Sequence, residues 1–216
     1  MKAVFFDLDG TLIDSSEDLA NSINFMLKAL NKKEFDPETI KTWVGNGAAI
    51  LVKRALSGGM EIKDIDETLF NRAKEIFLNH YKNNLCIKTA LFPEVKETLK
   101  KIPHKKAIIT NKPYEFVKPI LKKLDIDMFE LVLGGESLPE KKPSPLPLLH
   151  ACKYFNITPD EAIMVGDSKN DILAAKNAGI KVIALNYGYN QGEDITKYNP
   201  DFVFEKFSDI LKVING

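Results

Sequence analysis

The sequence predicts an α/β fold: a Rossmann-like parallel sheet core with helices on both faces, plus an all-helical cap inserted after strand one. Two observations support this prediction. From about residue 90 onward, short apolar segments alternate with segments of helical period, which is the pattern of a parallel sheet covered on both faces. The first apolar segment is separated from the others by residues 15–84, which carry only helical periodicity.

The amino-terminal half contains one predicted strand followed by helices. Residues 2–6 form a continuous apolar run of β-forming side chains, which is typical of a buried strand. Residues 15–18 combine serines with acids, the pattern of a helix start with a hydroxyl N-cap, and apolar residues follow at helical spacing up to residue 30. Three more helices follow in this block. The first begins at Pro37, with Asp36 as its N-cap. The other two span residues 48–56 and 67–81.

The carboxy-terminal half alternates between strands and helices. Strands are predicted over residues 106–110, 131–133, 162–165, 181–185 and 201–204, and helices over residues 93–101, 114–124, 146–155, 171–178 and 207–214. We therefore expect an α/β catalytic core built from residues 1–14 and 85–216, and a helical cap built from residues 15–84.

Composition argues against several classes of function. The 30 Lys and Arg residues balance the 30 Asp and Glu residues, so charge gives no reason to expect nucleic acid or a membrane surface as a partner. The apolar runs are too short to cross a bilayer, and residues 1–6 lack the pattern of a signal peptide. Cys86 and Cys152 have no metal-ligand spacing, which indicates two reduced thiols. We expect a cytoplasmic monomer that acts on a small molecule.

Polar side chains follow each of the first four core strands at its carboxyl end, where open parallel sheets bind ligands. If these strands are neighbours, four aspartates meet at one rim and need a cation, and carboxylate oxygens favour a hard ion such as Mg²⁺. A hydroxyl and a lysine at the same rim suit the oxygens of a phosphate. The residues concerned are Asp7, Asp9, Thr110, Asn111, Lys142, Asp167 and Asp171.

The spacing of Asp7 and Asp9 suggests separate roles for the two acids. Positions i and i+2 of a strand point to the same side, so both carboxyl groups reach one ligand. Asp7 is placed to attack phosphorus and form an aspartyl-phosphate, and Asp9 to protonate the leaving oxygen and later accept a proton from water. Adjacent acids favour one ionised and one protonated carboxyl group. Asp14 lies near a helix start, where an acid suits the helix dipole, and is assigned a structural role.

Together these residues resemble the four motifs of the haloacid dehalogenase superfamily of phosphatases. Residues 7–11 are similar to its first motif, Thr110 to its second, Lys142 and Pro143 to its third, and residues 166–171 to its fourth. The order of the motifs and the helical insertion after the first one also agree with that superfamily.

The resemblance implies a role for each motif residue. Asp7 would be the nucleophile and a Mg²⁺ ligand, and Asp9 the general acid and base, binding the metal through its backbone carbonyl. Asp167 would be the third metal ligand, and Asp171 would act through water or orient Lys142. Thr110 and Asn111 would hold the phosphoryl group, and the cap would close over the site and exclude water.

A narrower resemblance, to bacterial phosphoglycolate phosphatases, implies 2-phosphoglycolate as the substrate. It is carried by residues 43–48, 141–143 and 187–193, although Ser144 stands where that family often has His. The loop of Gly45, Asn46 and Gly47 is either a turn between helices or a substrate-binding element that uses backbone N–H groups. In the same region Trp43 is interpreted as cap core rather than a stacking platform. Lys53 and Arg54 are interpreted as solvated helix charges, with binding of a substrate carboxylate as the alternative for either one.

Two other functions stay open at this point. A phosphoryl-transfer mutase similar to β-phosphoglucomutase would use the same nucleophile but pass the phosphoryl group to a sugar. A phosphorylation-controlled receiver module would also use acids after a strand, a hydroxyl and a lysine, but such a module is shorter and has no helical insertion. The intact set of motif residues argues against a catalytically inactive adaptor.

Overall fold

The computed structural model describes residues 1–215. Its strands are β1 (Ala3–Phe6), β2 (Ile13–Asp14), β3 (Ala90–Leu91), β4 (Lys105–Ile109), β5 (Leu131–Leu133), β6 (Ala162–Gly166), β7 (Lys181–Leu185) and β8 (Phe202–Phe204). Six of them form one sheet in the order β5-β4-β1-β6-β7-β8, in which every neighbouring pair is parallel. Strand β1 lies between β4 and β6, with Ala3 level with both Lys105 and Ala162. Its carboxyl end is therefore at the point where the strand order reverses, the usual ligand site of such sheets.

Helices cover both faces of this sheet, which confirms the predicted fold class. They are α1 (Ser16–Ala29), α2 (Pro37–Lys41), α3 (Ala48–Ser57), α4 (Glu67–Asn83), α5 (Val95–Lys101), α6 (Tyr114–Lys123), α7 (Leu146–Phe155), α8 (Lys169–Ala178) and α9 (Leu211–Ile214). Val4 and Phe6 of β1 pack on one face with α5, α6 and α9. Ala3 and Phe5 point to the opposite face and pack with α7 and α8, as the alternation of side chains along a strand requires.

Helices α1 to α4 come between β2 and β3 in the sequence and form a separate layer. Helix α1 packs against both α2 and α4, and Trp43 is buried in the same layer, with its ring edge-on to Phe35 at 5.0 Å. Trp43 is therefore part of the packed interior of this helical layer, as predicted. The two-residue strands β2 and β3 pair antiparallel, with Ile13 level with Leu91. The sequence did not predict them, because two residues are too few to show a strand period.

The predicted hydroxyl cap of α1 is wrong. Ser15 occupies the N-cap position, but its hydroxyl donates to Asp9 Oδ1 at 2.5 Å and makes no capping bond. Asp14 Oδ1 instead accepts the backbone N–H of Ser16 at 3.0 Å. Asp14 therefore has the structural role at the helix start that was expected of it, and the Ser15 hydroxyl is directed toward Asp9.

Two later helices differ from their predicted bounds. Helix α8 begins at Lys169 rather than at residue 171, because Ser168 and Asp171 form a capping box around its first turn. The last predicted helix, over residues 207–214, opens as a 3₁₀ turn (Phe207–Ile210) before α9.

Both cysteines are free thiols, as predicted. Cys86 is half-buried and Cys152 is buried, and burial raises the pKa of Cys152 to about 11. Across residues 1–215, the helices are too short or too polar to cross a bilayer.

The carboxylate of Asp18 joins the two chain segments that connect the helical layer to the sheet. Asp18 lies in α1 and is buried, and it accepts the backbone N–H groups of Ile87, Lys88 and Thr89 at 2.9–3.1 Å. It also accepts the Thr89 hydroxyl at 2.6 Å. A carboxylate that serves four donors in a buried place is costly to replace, because each donor loses a partner at once.

Asp18→Asn is expected to lower the free energy of unfolding by about 2–3 kcal/mol, since the amide replaces an acceptor and removes the charge that strengthens the remaining bonds. Urea unfolding monitored by circular dichroism measures this. Glu17→Gln is the matched control, because Glu17 is exposed on the same turn and only 3.7 Å from exposed Lys88. Equal urea midpoints for the two variants would contradict the assignment.

Candidate active site

Neighbouring strands bring three polar residues to one rim of the sheet. Asp7 follows β1, Thr110 follows β4 and Asp167 follows β6, and these three strands are side by side. The Asp7 N–H donates to Val165 O at 3.0 Å and the Thr110 N–H donates to Leu133 O at 3.0 Å, so the backbone fixes both positions. The predicted convergence of residues from distant parts of the chain is therefore present.

Three buried carboxylates form a tight cluster at this rim. Asp7, Asp167 and Asp171 each offer an oxygen that lies within 4.8 Å of those of the other two. Lys142 is buried among them, with Nζ 3.0 Å from Asp7 Oδ1 and 2.6 Å from Asp171 Oδ1. One ammonium group does not balance three carboxylates, and burial of the excess negative charge is unfavourable.

The donor set of this cluster fits Mg²⁺. All the clustered ligand atoms are carboxylate oxygens, which is the ligand type that this ion prefers. Asp7 Oδ1 is buried and makes no hydrogen bond beyond its ion-pair contact with Lys142 Nζ at 3.0 Å, so it still has a lone pair free for a cation. The side chain of Asp9 lies outside the cluster; the resemblance assigned only its backbone carbonyl to the metal.

Asp167 is held by hydrogen bonds and by two close glycines. Its Oδ1 accepts the Thr11 hydroxyl at 2.7 Å, and its Oδ2 accepts the Tyr189 N–H at 2.8 Å. A Cβ on Gly10, which has φ of 87°, would lie 2.2 Å from Asp167 Oδ2, and a Cβ on Gly188 would lie 2.2 Å from the Asp167 Cβ. Both positions therefore require glycine, because a side chain would displace the carboxylate.

Burial and mutual repulsion raise the pKa values of two of these acids. Burial raises the pKa of Asp7 to about 6; the Lys142 ammonium opposes this shift and the Asp171 carboxylate adds to it. Burial also raises the pKa of Asp167 well above its usual range, and repulsion from Asp171 and Asp7 adds to that effect. Ionisation of Asp7 and Asp167 is therefore unfavourable in the folded state unless a cation binds.

The stability of the metal-free protein should reflect these shifts. A carboxyl group whose pKa is raised by folding favours the folded state below its unfolded pKa, near 4, and loses that contribution as the pH rises through the folded value. Asp167→Asn removes one such group, so the variant should be more stable than the wild type in EDTA, by a margin that is larger at pH 7 than at pH 5. Urea unfolding at both pH values tests this, and a margin that shrinks with rising pH would contradict it.

Asp171 connects the cluster to helix α8. Its Oδ2 accepts the Ser168 N–H at 3.0 Å and the Ser168 hydroxyl at 2.7 Å, while its Oδ1 accepts Lys142 Nζ. A Cβ on Gly166 would lie 2.3 Å from the Asp171 Cγ, so the carboxylate has little room to move. The arrangement holds Lys142 toward Asp7, one of the two roles that the resemblance allowed for Asp171.

Asp9 lies beside a second buried lysine that the sequence analysis missed. Lys112 Nζ donates to Asp9 Oδ1 at 2.9 Å and Oδ2 at 3.2 Å, and to the Tyr81 hydroxyl of α4 at 2.7 Å. Burial disfavours the Lys112 ammonium, but attraction to Asp9 and Tyr81 outweighs it and raises the pKa above its usual value. The available signal was its position directly after Thr110 and Asn111, at the end of a predicted strand.

A cavity of about 40 Å³ separates this rim from the helical layer. Asp7, Asp9 and Thr110 form its polar side. Most of the remaining lining is apolar, and the cavity therefore suits a small ligand with one strongly polar end. The lining residues on the apolar side include Leu19, Val44, Ala48, Leu51, Phe77, Pro113 and Phe116.

The glycine loop between α2 and α3 turns its carbonyl groups toward the sheet. Gly45 O accepts the side-chain amides of Asn111 and Asn170, both at 3.1 Å, and Asn46 O accepts Lys141 Nζ at 2.8 Å. Gly45 and Gly47 line the cavity, and Asn46 does not. The predicted use of backbone N–H groups from this loop in substrate binding stays a prediction.

The side chain of Asn46 is held by two donors outside the cavity lining. Its Oδ1 accepts Arg54 Nη1 at 3.0 Å and the side-chain amide of Gln191. Arg54 also donates to Trp43 O at 2.7 Å and is buried. The interpretation of Arg54 as a solvated helix charge is therefore wrong, because its buried guanidinium group donates hydrogen bonds to the segment that precedes α3. Lys53 is half-buried, with Nζ 4.9 Å from the centre of the Phe70 ring.

Asn111, predicted to hold the phosphoryl group, has a structural use for its amide nitrogen. Nδ2 donates to Gly45 O and to Lys142 O, at 3.1 and 2.9 Å. Its Oδ1 is buried without a partner among residues 1–215. Asn111 lines the cavity, but its side chain mainly connects the helical layer to the segment that carries Lys142.

Comparisons with known proteins agree with this geometry. A family model described as haloacid dehalogenase-like hydrolase matches residues 4–185. A phosphoglycolate phosphatase of Colwellia psychrerythraea is 52% identical over 97% of this chain and 95% of its own length. A phosphoglycolate phosphatase of Psychrobacter arcticus is 45% identical over 96% of this chain and 93% of its own. A crystal structure of a predicted phosphoglycolate phosphatase from Haemophilus somnus superposes with a TM-score of 0.94, at 43% identity, and covers 99% of this chain and 97% of that one.

Proposed function

The chain belongs to the haloacid dehalogenase-like hydrolase family, and from this premise we propose that it is a Mg²⁺-dependent phosphatase that hydrolyses 2-phosphoglycolate to glycolate and phosphate. The observation that carries the proposal is the buried cluster of Asp7, Asp167 and Asp171 with Lys142, at the end of the central strand and beneath a small cavity. The substrate is suggested by the phosphoglycolate phosphatases to which the chain is similar.

In the first half-reaction Asp7 acts as the nucleophile. A carboxylate oxygen of Asp7 attacks phosphorus and the bond from phosphorus to the ester oxygen breaks. Asp9, protonated before this step, gives its proton to that oxygen as glycolate leaves. The Lys142 ammonium, 3.0 Å from Asp7 Oδ1, and the Thr110 hydroxyl at the same rim are placed to bind phosphoryl oxygens. The product on the enzyme is an aspartyl-phosphate on Asp7.

In the second half-reaction Asp9 changes from a general acid to a general base. Ionised Asp9 takes a proton from water, the water oxygen attacks phosphorus, and the bond between phosphorus and Asp7 breaks to release phosphate. The residues that would hold the metal are Asp7, Asp167 and the backbone carbonyl of Asp9. When bound, Mg²⁺ supplies positive charge that stabilises the phosphoryl oxygens during transfer.

We further propose that residues 15–84 move as a cap over a core built from residues 1–14 and 85–216. Support comes from the narrow connection at β2 and β3, and from the hydrogen bonds between the Gly45 loop and the core side chains Asn111 and Asn170. These bonds hold the cap closed, so that water is excluded from the aspartyl-phosphate until the product alcohol has left.

The named site residues all come from one chain, so we propose that a monomer suffices for activity. The free thiols Cys86 and Cys152 support a cytoplasmic location.

A panel of small phosphomonoesters assayed with Mg²⁺ for released phosphate tests the function. We expect 2-phosphoglycolate to be among the best substrates by kcat/KM. If a sugar phosphate is isomerised instead of hydrolysed, the mutase similar to β-phosphoglucomutase replaces this proposal. If the protein is phosphorylated once without turnover, a receiver-like module replaces it.

A further inference from the structure

The mechanism above leaves two buried polar side chains of the cavity unused. Lys112 is 5% exposed and Tyr81 is 1% exposed, and both line the cavity that holds Asp7 and Asp9. Among the described residues that line it, Lys112 alone carries a positive charge. Lysine is rarely buried without a function or a firm partner. Asp9 is such a partner, but it does not explain why the ammonium group lines the cavity.

We propose that Lys112 and Tyr81 form a binding site for a carboxylate carried next to the ester oxygen of the substrate, and so select acidic phosphomonoesters over neutral ones. This inference rests on the proposed phosphatase function and adds the residues that recognise the leaving group.

The position of Asp9 places this subsite on the leaving-group side of the cavity. A general acid must come within about 3 Å of the oxygen that it protonates. Lys112 Nζ lies 2.9 Å from Asp9 Oδ1 and 3.2 Å from Asp9 Oδ2. In phosphoglycolate the carboxylate carbon is two bonds from the ester oxygen, so a carboxylate on a leaving group bound at Asp9 falls within reach of the same ammonium.

The two side chains offer hydrogen-bond donors that suit a carboxylate. The Lys112 ammonium has three donors on a flexible stem, so it is able to exchange an Asp9 oxygen for a substrate oxygen. The Tyr81 hydroxyl accepts from Lys112 at 2.7 Å, and its own hydrogen meets no acceptor within residues 1–215. Because Lys112 Nζ and the Tyr81 hydroxyl oxygen lie 2.7 Å apart, both groups are able to donate to the two oxygens of one carboxylate.

The surroundings of the subsite offer a carboxylate no other cation. The cap side of the cavity is formed by apolar side chains such as Leu51 and Phe77. Lys142 is engaged by Asp7 and Asp171, and Lys141 is bound to Asn46 O. A carboxylate in the cavity would therefore be unpaired without Lys112, and an unpaired buried charge is strongly unfavourable.

The test compares 2-phosphoglycolate with ethyl phosphate, which has the same two-carbon skeleton without the carboxylate. The quantity measured is the ratio of the two kcat/KM values, because loss of the Lys112 contact to Asp9 affects both substrates and cancels in the ratio. Lys112→Met is expected to lower the ratio about a hundredfold, and Tyr81→Phe, which removes only the hydroxyl, to lower it about tenfold. Lys112→Arg should restore part of the ratio by restoring the charge.

Lys118→Met is the matched control, because Lys118 is exposed on α6 and its ratio should equal that of the wild type. If Lys112→Met does not fold, Tyr81→Phe still decides. An unchanged ratio in folded Lys112→Met and Tyr81→Phe overturns the subsite and leaves Lys112 as a residue that positions Asp9. A wild type that hydrolyses neither ester contradicts the proposed function instead, so the two failures are distinct.

Discussion

Asp7→Asn is expected to abolish phosphatase activity while leaving the fold intact. The amide is nearly the same size as the carboxylate, so the packing at the end of β1 is preserved, but it is a poor nucleophile and leaves one ligand fewer for a cation. Loss of a nucleophile that works as part of a unit costs at least about a thousandfold in kcat. Steady-state phosphate release from 2-phosphoglycolate measures the loss, and circular dichroism verifies the fold.

Asp14→Asn is the matched control for this experiment, because Asp14 belongs to the same acidic segment but serves a structural purpose. Its Oδ1 accepts the Ser16 N–H, the Ser16 hydroxyl and the Tyr189 hydroxyl, and an amide oxygen accepts the same three bonds. We expect Asp14→Asn to keep activity within about tenfold of the wild type. Comparable activity in Asp7→Asn and the wild type would refute the covalent mechanism.

The parts of the molecule that sequence reasoning predicted share a physical basis. Period and strand-end chemistry are local properties, so the alternating core and the convergence of Asp7, Thr110 and Asp167 were readable without coordinates. The parallel sheet then brings the strand ends together whatever the details of the loops. The helical layer followed in the same way from residues that carry no strand period.

The features that were missed depend on contacts between distant segments. Lys112 becomes meaningful only when α4 places Tyr81 against it, and Asp18 only when residues 87–89 return beside α1. Arg54 was misread because burial of a helix charge depends on which loop packs over it. None of these contacts has a spacing in the sequence that distinguishes it from an ordinary charged or aromatic residue.

Removal of divalent cations with EDTA is expected to abolish activity, and addition of Mg²⁺ to restore it. The excess negative charge of the buried cluster should also make Mg²⁺ a stabiliser of the fold, since an ion that binds only the folded state at a hundred times its Kd contributes about 2.7 kcal/mol. Thermal unfolding with EDTA and with Mg²⁺ measures this, and phosphate release in EDTA equal to that with Mg²⁺ would refute the metal requirement.

Asp167→Asn separates the metal effect from a general salt effect. Burial raises the pKa of Asp167 most, and repulsion from the Asp171 and Asp7 carboxylates raises it further. The amide therefore relieves repulsion in the metal-free protein and removes a ligand from the metal-bound protein. The variant should therefore unfold at a higher temperature than the wild type in EDTA, gain little from Mg²⁺, and lose at least about a hundredfold in kcat/KM. A Mg²⁺-induced rise in Tm as large as that of the wild type would place the ion elsewhere. The gain in stability without metal and the loss of Mg²⁺ binding have one cause, because the carboxylate charge that destabilises the metal-free fold is also the charge that binds the cation.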